Sequence, residues 1–191
     1  MTSYHGWMIQ AQPPPRHRPA ALIRETCADD LGAIARIYAH HVSHGLASFE
    51  EVPPTLEELR SRRSAVLDCG LPYLAAELQG EVVGYAYASL YRPRPAYRYT
   101  IEDSVYVEDG LTGLGLGSAL LASLIERCEA GPWRQMLAVI GDRANAGSIA
   151  LHRRMGFRHV GSFASVGFKL GHWVDTVLMQ RPLGPGDQSP P

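Results

Sequence analysis

The segment GLTGLGLGSALL, Gly110 to Leu121, places four glycines within eight residues directly before an apolar pattern typical of a helix. Glycine adopts left-handed backbone conformations easily and lets a ligand approach the bare main chain. The first amide groups of a helix lack intrahelical acceptors and carry partial positive charge, which favours a bound phosphate. Two interpretations follow: a turn that cradles an anion, or a tight turn that binds nothing.

Two familiar phosphate-binding motifs do not fit this segment. A nucleoside-triphosphate P-loop requires a lysine between its last glycine and a serine or threonine, but here Gly117 is followed directly by Ser118. A dinucleotide-binding GxGxxG motif starting at Gly113 would need its third glycine where Ser118 stands, and a start at Gly115 fails likewise. A pyrophosphate cradle formed by a strand, a turn and a helix remains possible.

Composition narrows the class of protein. The chain has 191 residues, of which 46% are hydrophobic and 19% charged, which indicates a globular domain with a sizeable core. A net charge of -1 and the lack of a basic run argue against a nucleic-acid partner. No apolar run approaches the ~20 residues of a membrane span. Three widely spaced cysteines without a CxxC pair predict reduced thiols in the cytoplasm.

The order of patterns predicts one folded domain. Residues 1–19 are proline-rich and lack a signal-like apolar segment, so they are predicted to be a disordered leader, and residues 184–191 a disordered tail. Residues 20–183 alternate between strand and helix patterns, which predicts an α+β domain around a mostly antiparallel sheet. Asp29 is the predicted cap of the first helix, and Thr55, with Glu58, that of the second.

Several motifs in order resemble one enzyme family. The segment EDSVYVEDGLTGLGLGSALL, followed about thirty residues later by NAGSIALHRRMGF, resembles the acetyl-CoA-dependent GNAT N-acetyltransferases, especially those acting on phosphinothricin and methionine sulfoximine. The resemblance covers nearly the whole of residues 20–183. It implies a twisted sheet of about seven strands flanked by helices, with a V-shaped split between the fourth and fifth strands. It also implies acetyl-CoA as cosubstrate, no metal, and a homodimer.

The same resemblance assigns the cofactor site. The turn from Thr112 to Ser118 would hold the pyrophosphate, the backbone of the preceding strand would pair with the pantetheine arm, and Asn145 would lie near that arm. The implied residues are Val105, Tyr106, Val107, Thr112, Gly113, Leu114, Gly115, Leu116, Gly117, Ser118 and Asn145. The family motif usually begins with glutamine or arginine and often has a second basic residue, at the positions where Thr112 and Gly113 stand here. The arginines that could replace that charge are Arg143, Arg153 and Arg154.

Glu102 is the predicted general base. An α-amino group has a pKa near ~8, so a group must remove its proton before it attacks a thioester. Alternation along the strand places Glu102 on one face with Ser104 and Tyr106, and Asp103 on the other, where it is expected to be structural or solvated. Burial would raise the pKa of Glu102 into a useful range. The resemblance matches it to the glutamate of a YTxExSVYV signature; the alternative is a solvent-facing glutamate.

His152 is the predicted proton donor. It stands where the wider family usually has a tyrosine assigned to protonate the departing thiolate, and histidine can donate from the same place. The alternative is a packed or solvated helix residue. The resemblance further implies that the N–H of Val105 donates to the oxyanion.

Substrate recognition is predicted in the segment LYRPRPAYRYT. Guanidinium groups suit carboxylate and phosphinate oxygens, so Arg92 and Arg94, beside Tyr97, are candidates to hold an amino-acid anion, with Arg92 preferred. The alternative is a solvated basic loop. The resemblance places Phe49 near the substrate, and Lys169 is expected to close the pocket from the last hairpin, of the same or a neighbouring subunit.

The sequence therefore predicts a cytoplasmic N-acetyltransferase that moves acetyl directly from acetyl-CoA to the α-amine of a small amino-acid-like acceptor. L-phosphinothricin and methionine sulfoximine or sulfone are the acceptors that the resemblance implies. The alternatives are an acetyltransferase for proteins, peptides or other amines, and a non-catalytic acyl-CoA-binding regulatory module. His40 and His44 lie four apart without a carboxylate or cysteine, so surface histidines are favoured over a metal site.

Overall fold

A computed structural model describes residues 21–191 of the chain, so the predicted disordered leader, residues 1–19, lies outside the described residues. Seven strands are formed: β1 Leu22–Glu25, β2 Tyr73–Leu78, β3 Glu81–Leu90, β4 Thr100–Val107, β5 Gln135–Gly141, β6 Arg158–Lys169 and β7 His172–Pro182. Four α-helices accompany them: α1 Leu31–His44, α2 Leu56–Asp68, α3 Leu116–Glu129 and α4 Ala146–Arg154. Residues 184–191 follow β7 as turns, and Arg134 Nη2 donates to the Pro190 carbonyl at 2.9 Å.

The strands form one sheet in the order β1-β2-β3-β4-β5-β7-β6. Neighbouring strands are antiparallel except for β4 and β5, which are parallel. The predicted α+β class and mostly antiparallel seven-stranded sheet are confirmed. None of the helices in residues 21–191 is both long and apolar enough to cross a membrane.

The sheet is split between β4 and β5. Their pairing covers three residue pairs and ends at Glu102 and Leu137, whereas β4 stays paired with β3 as far as Val107. Residues 103–107 of β4 therefore have no described strand on the β5 side. This is the predicted V-shaped opening between the fourth and fifth strands.

Helices cover both faces of the sheet. Tyr38 of α1 packs edge-on against Tyr106, with ring centroids 5.1 Å apart. On the other face, Leu120 of α3 approaches Gly84, the residue paired with Val107. The core between these layers is fully apolar at its centre, with Ile34, Ile101 and Leu120 completely buried.

The first two helices begin close to where the sequence predicts. Thr55 Oγ1 accepts from the Glu58 N–H at 3.2 Å, so the predicted cap of α2 is confirmed. The predicted cap of α1 is wrong by one residue: a short 3-10 turn, Ala28–Asp30, precedes the helix and Asp30 takes the cap position. The Asp30 carboxylate is held there by Arg24 and by the Cys27 N–H.

Candidate active site

A cavity of about 1090 Å³ opens where β4 and β5 separate. Its walls come from β4, the glycine-rich turn, the first turn of α3, the inner side of α4, β5 and the loop after α1. Most of the sequence-predicted site residues line it: Phe49, Glu102, Val105, Tyr106, Val107, Thr112, Gly113, Gly115, Leu116, Gly117, Ser118, Asn145 and His152. Leu114, Arg92, Arg94, Tyr97 and Lys169 do not.

The glycine-rich turn has the geometry of an anion cradle. Gly113 and Gly115 have φ angles of 77° and 88°, in the left-handed region that disfavours other residues. Apart from the two adjoining residues of the chain, no residue has an atom within 4 Å of where a Cβ would stand on either glycine. Gly115 caps α3 without a side-chain hydrogen bond, so the first amides of the helix are left to other acceptors. These residues fit the diphosphate of a nucleotide cofactor.

Gly117 brings three elements close together. A Cβ at this position would lie 3.3 Å from Leu151 Cδ2 of α4 and 3.9 Å from Val107 Cγ2 of β4. The missing side chain therefore lets the N-terminus of α3 approach both neighbours. Asn145 caps α4, because its Oδ1 accepts from the Ser148 N–H at 3.1 Å. Both helix N-termini thus border the same cavity.

The open edge of β4 offers main-chain groups from alternate residues. The Glu108 N–H donates to the Val83 carbonyl of β3. Because main-chain N–H and C=O groups alternate in direction along a strand, those of the even-numbered β4 residues point toward β3. The main-chain groups of Val105 and Val107 consequently face the cleft. Tyr106 lines the cavity, while its carbonyl points to Gly84 of β3. Backbone pairing with pantetheine is therefore possible at the two valines, and the prediction for the Tyr106 main chain does not fit.

His41 was missed by the sequence analysis. Its Nε2 donates to the Val107 carbonyl at 2.8 Å, across 66 positions of the chain, and its ring lines the cavity. One of the two valine carbonyls on the open edge is thus already hydrogen-bonded. No sequence spacing indicated this contact, because it joins α1 to the end of β4.

Glu102 lies at the apex of the cleft, the last β4 residue paired with β5. β4 is the fourth strand of seven, so the alternative of a solvent-facing edge glutamate does not hold. Burial, with a smaller effect from the charge of Asp103, raises the pKa of Glu102 to about 7. A carboxylate with that pKa can accept a proton at neutral pH.

His152 is buried and bonded at both ring nitrogens. Nε2 lies 2.9 Å from Asp103 Oδ2, and Nδ1 lies 2.8 Å from the Ser148 carbonyl oxygen. Burial opposes the charged ring, but the hydrogen bond and charge of Asp103 raise the pKa of His152. In this conformation neither N–H faces the cleft, so a proton-donating role would require one bond to break. Asp103 is paired rather than solvated.

Tyr38, Glu50 and Tyr87 line the cavity together with Phe49, at what the sequence analysis predicts to be its acceptor end. The Tyr38 hydroxyl lies 2.9 Å from Glu50 Oε1, and Arg62 binds the same carboxylate at 2.6 Å. Burial disfavours the ionised carboxylate of Glu50, but the hydrogen bonds from Arg62 and Tyr38 together outweigh it and lower the pKa of Glu50. Of these residues, only Phe49 was predicted.

The other predicted substrate residues lie elsewhere. Arg92 and Arg94 are exposed on the loop between β3 and β4, with the Arg92 guanidinium 5.0 Å from the centre of the Tyr91 ring. Tyr97 packs edge-on against Tyr91 in the same loop, at 5.5 Å. Lys169 is only 3% exposed, and its Nζ donates to the Ser48 carbonyl at 2.6 Å. Lys169 therefore fixes the loop that carries Phe49 without reaching the cavity.

Among the three arginines considered as replacements for the missing basic residue, Arg154 lines the cavity. Arg143 is bound to Asp175 at 2.5 Å, and Arg153 is exposed outside the cavity lining. No group of three or more histidine, cysteine or acidic side chains in residues 21–191 could hold a metal ion.

Comparisons with known proteins agree with this geometry. Residues 31–157 match the sequence model of the Acetyltransferase (GNAT) family. The chain is 57% identical to a phosphinothricin N-acetyltransferase of Alcaligenes faecalis over 91% of this chain and 88% of the relative. It is 41% identical to an L-methionine sulfoximine/L-methionine sulfone acetyltransferase of Pseudomonas paraeruginosa, over 90% and 99%.

A solved structure has the same fold. The phosphinothricin acetyltransferase of Sinorhizobium meliloti, determined in complex with acetyl-CoA, superposes with a TM-score of 0.87 at 46% identity, covering 90% of this chain and 93% of that one. The family resemblance and its cosubstrate are thereby confirmed, and the interpretation as a non-catalytic module is set aside. The chain belongs to the GNAT family and is an acetyl-CoA-dependent N-acetyltransferase.

Proposed function

We propose that the acceptor is the α-amine of a small amino-acid-like molecule such as L-phosphinothricin, methionine sulfoximine or methionine sulfone. The named activities of the relatives at 57% and 41% identity support this acceptor class. The observation that carries the proposal is the position of Glu102, at the apex between the glycine-rich turn and the acceptor end of the cavity. A base at that point can serve an amine that enters from the acceptor end.

Glu102 accepts the proton of the incoming ammonium group. Because its pKa is raised to about 7, Glu102 is mostly ionised above pH 7, and its carboxylate is basic enough to take the proton. The N–H of Val105 faces the cleft and donates a hydrogen bond to the carbonyl oxygen under attack, which stabilises the negative charge that develops there. Acetyl-CoA, when bound, supplies the acetyl group as an activated thioester, whose C–S bond breaks as the new amide bond forms, so that CoA leaves as its thiolate.

The cosubstrate is held mainly by the main chain. Residues Thr112 to Ser118 present the amides of the turn and of the first turn of α3 to the pyrophosphate. Leu114 contributes through its main chain, because its side chain is 43% exposed and outside the cavity. Asn145 borders the pantetheine arm, and Arg154 supplies a cation for the phosphates.

The acceptor anion is assigned to the loop between β3 and β4 by the family resemblance of Tyr91 and Arg92, although the arginines of this loop lie outside the cavity lining in this structure. Neither Arg92 nor Arg94 has a carboxylate partner in residues 21–191, so both guanidinium groups are available to a carboxylate or phosphinate. Tyr97 supports the loop through Tyr91. Phe49 contacts the acceptor directly, and Lys169 acts on the acceptor by holding the Ser48 carbonyl next to Phe49.

The assembly is proposed to be a homodimer in the cytoplasm. β6 is an edge strand of the sheet, and its hairpin with β7 exposes apolar side chains, among them Phe163, Phe168 and Trp173, which are 55%, 57% and 68% exposed. Exposed apolar patches on soluble proteins commonly mark interaction sites. Light scattering coupled to gel filtration should give twice the mass of the chain, and a monomer for Trp173→Glu; a monomeric native protein would refute the homodimer.

An acceptor screen tests the proposal. Release of free CoA thiol is followed with L-phosphinothricin, methionine sulfoximine, methionine sulfone, the same molecules lacking the α-carboxylate, free lysine, and a peptide with a free N-terminus. The first three should have a kcat/KM at least about tenfold higher than the others, because the loss of one hydrogen bond to a charged group lowers kcat/KM by about that factor. Equal or better turnover of the peptide would favour a protein acetyltransferase instead.

A further inference from the structure

A buried ion pair joins α4 to β4 behind the proposed base. His152 Nε2 and Asp103 Oδ2 are 2.9 Å apart, and the two side chains are only 5% and 2% exposed. The other ring nitrogen, Nδ1, lies 2.8 Å from the Ser148 carbonyl oxygen. A carbonyl oxygen can only accept, so Nδ1 carries a hydrogen. The ring is thus a doubly protonated imidazolium between two acceptors whenever Asp103 is ionised.

This bonding pattern disfavours two other roles. Ser148 Oγ lies 3.3 Å from His152 Nδ1, so Ser148, His152 and Asp103 have the composition of a hydrolase triad. In such a triad the nitrogen facing the serine must accept its proton, whereas this Nδ1 donates to a carbonyl. The same bonds leave no ring N–H for a departing thiolate. The pair is suited to a fixed charge rather than to proton transfer.

Asp103 occupies a special place on β4. It is the first residue after the pairing with β5 ends, next to Glu102 in sequence and on the opposite face of the strand. Its Oδ1 is buried and has no hydrogen-bond partner among the described residues. Its charge adds to burial in raising the pKa of Glu102. Asp103 is therefore electrically coupled to the base although it does not share its face.

The other ionisable groups around this point are neutral or paired. Burial, with the charge of Asp103, raises the pKa of the Cys128 thiol of α3 to about 12. Burial also raises the pKa of Tyr87 on β3, and the negative charge of Glu102 raises it further. Glu50, from the loop after α1, is bound by Arg62. On α4, the only described group facing Asp103 is His152.

We propose that Asp103 and His152 are a positioning pair, in which Asp103 sets the charge beside Glu102 and His152 is its fixed counter-ion that ties α4 to β4. The proposal rests on the proposed role of Glu102 as the base. Because α4 begins after Asn145 and ends at Arg154, the tie also fixes the helix that borders the bound cosubstrate.

The first test removes the charge of Asp103 while keeping its shape. In Asp103→Asn, the acidic limb of the kcat–pH profile should move to lower pH by less than about one unit, because the negative charge of Asp103 is lost while His152 gives up its positive charge as well. Nitrogen NMR of the His152 ring should show that its pKa also falls. Asp68→Asn, an exposed charge at the end of α2, is the matched control and should change neither quantity.

The second test separates a fixed charge from a proton donor. In His152→Gln, an amide can still donate to Asp103, so kcat on the alkaline plateau should stay within about threefold of the native value. A loss of about 100-fold in kcat on that plateau would identify His152 as the acid and overturn the proposal.

The NMR titration tests the Asp103–His152 pair separately from the proposed role of Glu102 as the base. An unchanged His152 pKa in Asp103→Asn would refute the ion pair whatever the role of Glu102. Native kinetics in Glu102→Gln would instead refute the base, and with it the part of the proposal in which Asp103 sets its charge.

Discussion

The glycine-rich turn, proposed to hold the pyrophosphate, and the proposed acceptor end of the cavity are built differently, although both lie beside β4. The turn is a run of consecutive residues, Thr112 to Ser118, whose working groups are main-chain amides. The acceptor end is assembled from side chains on separate elements: Phe49 after α1, Tyr87 on β3 and Glu102 on β4. A contiguous main-chain site can be recognised in a sequence, whereas a site made of distant side chains depends on the fold.

The contrast between the turn and the acceptor end also separates affinity for the cosubstrate from selectivity among acceptors. Gly113 and Gly115, with open space where a Cβ would stand, suit a ligand part that every acetyl-CoA molecule shares. Charged and aromatic side chains at the other end suit discrimination among acceptors. We therefore expect substitutions in the turn to affect cosubstrate binding alone, and substitutions on the acceptor side to affect acceptors according to their charge.

The largest effect is expected for Gly115→Val. Its φ of 88° is strained for a β-branched residue, and the added side chain would occupy the space beside the cradle. Acetyl-CoA binding, measured by calorimetry, should weaken by at least about 100-fold, which corresponds to roughly 3 kcal/mol. Gly32→Ala is the control, because it lies in α1 with open space around it. Tight binding by Gly115→Val would show that the turn does not hold the cosubstrate.

A smaller and selective effect is expected for Arg92→Ala. Loss of a charged hydrogen bond should raise KM about tenfold for acceptors that carry a carboxylate, and leave carboxylate-free amines unchanged. Steady-state kinetics with methionine sulfoximine and its decarboxylated amine measures the difference. Arg60→Ala, which removes an exposed cation of α2 paired with Glu57, serves as control. Equal effects on both acceptors would disprove the anion contact.

The smallest effect is expected for Arg154→Gln. This exposed cation adds to a site that the main chain already provides, so KM for acetyl-CoA should rise only about fivefold, and less at high salt. Its neighbour Arg153, outside the cavity lining, gives the matched control Arg153→Gln. If both variants behave alike, the phosphates receive no specific help from Arg154.

Much of the fold could be predicted because local patterns determine it. The Thr55 cap is set by residues three apart, and the glycine-rich turn by the preference of left-handed positions for glycine. The start of α1 was misplaced by one residue, because a local 3-10 turn held by Arg24 competes for the cap. The prediction of Glu102 combined the family resemblance, which matches it to a signature glutamate, with strand alternation, which is equally local.

The contacts that complete the site could not be predicted from spacing. His152 meets Asp103 across 49 positions, and His41 meets Val107 across 66. Lys169 reaches Ser48 across 121 positions, so its predicted place in the pocket could not be separated from a supporting role. Such pairs are fixed by how helices and strands pack, and a single sequence carries no signal for them.

The dependence of kcat on pH, compared between the native enzyme and Glu102→Gln at saturating acetyl-CoA and methionine sulfoximine, tests the central claim most directly. A base with a pKa raised to about 7 is protonated at lower pH, so the native rate should rise with pH through a midpoint near 7 and then level off. Glu102→Gln should lose this rise and about 100-fold or more of the plateau rate, with acetyl-CoA affinity unchanged. A variant that keeps both the rise and the native rate would show that another group deprotonates the acceptor.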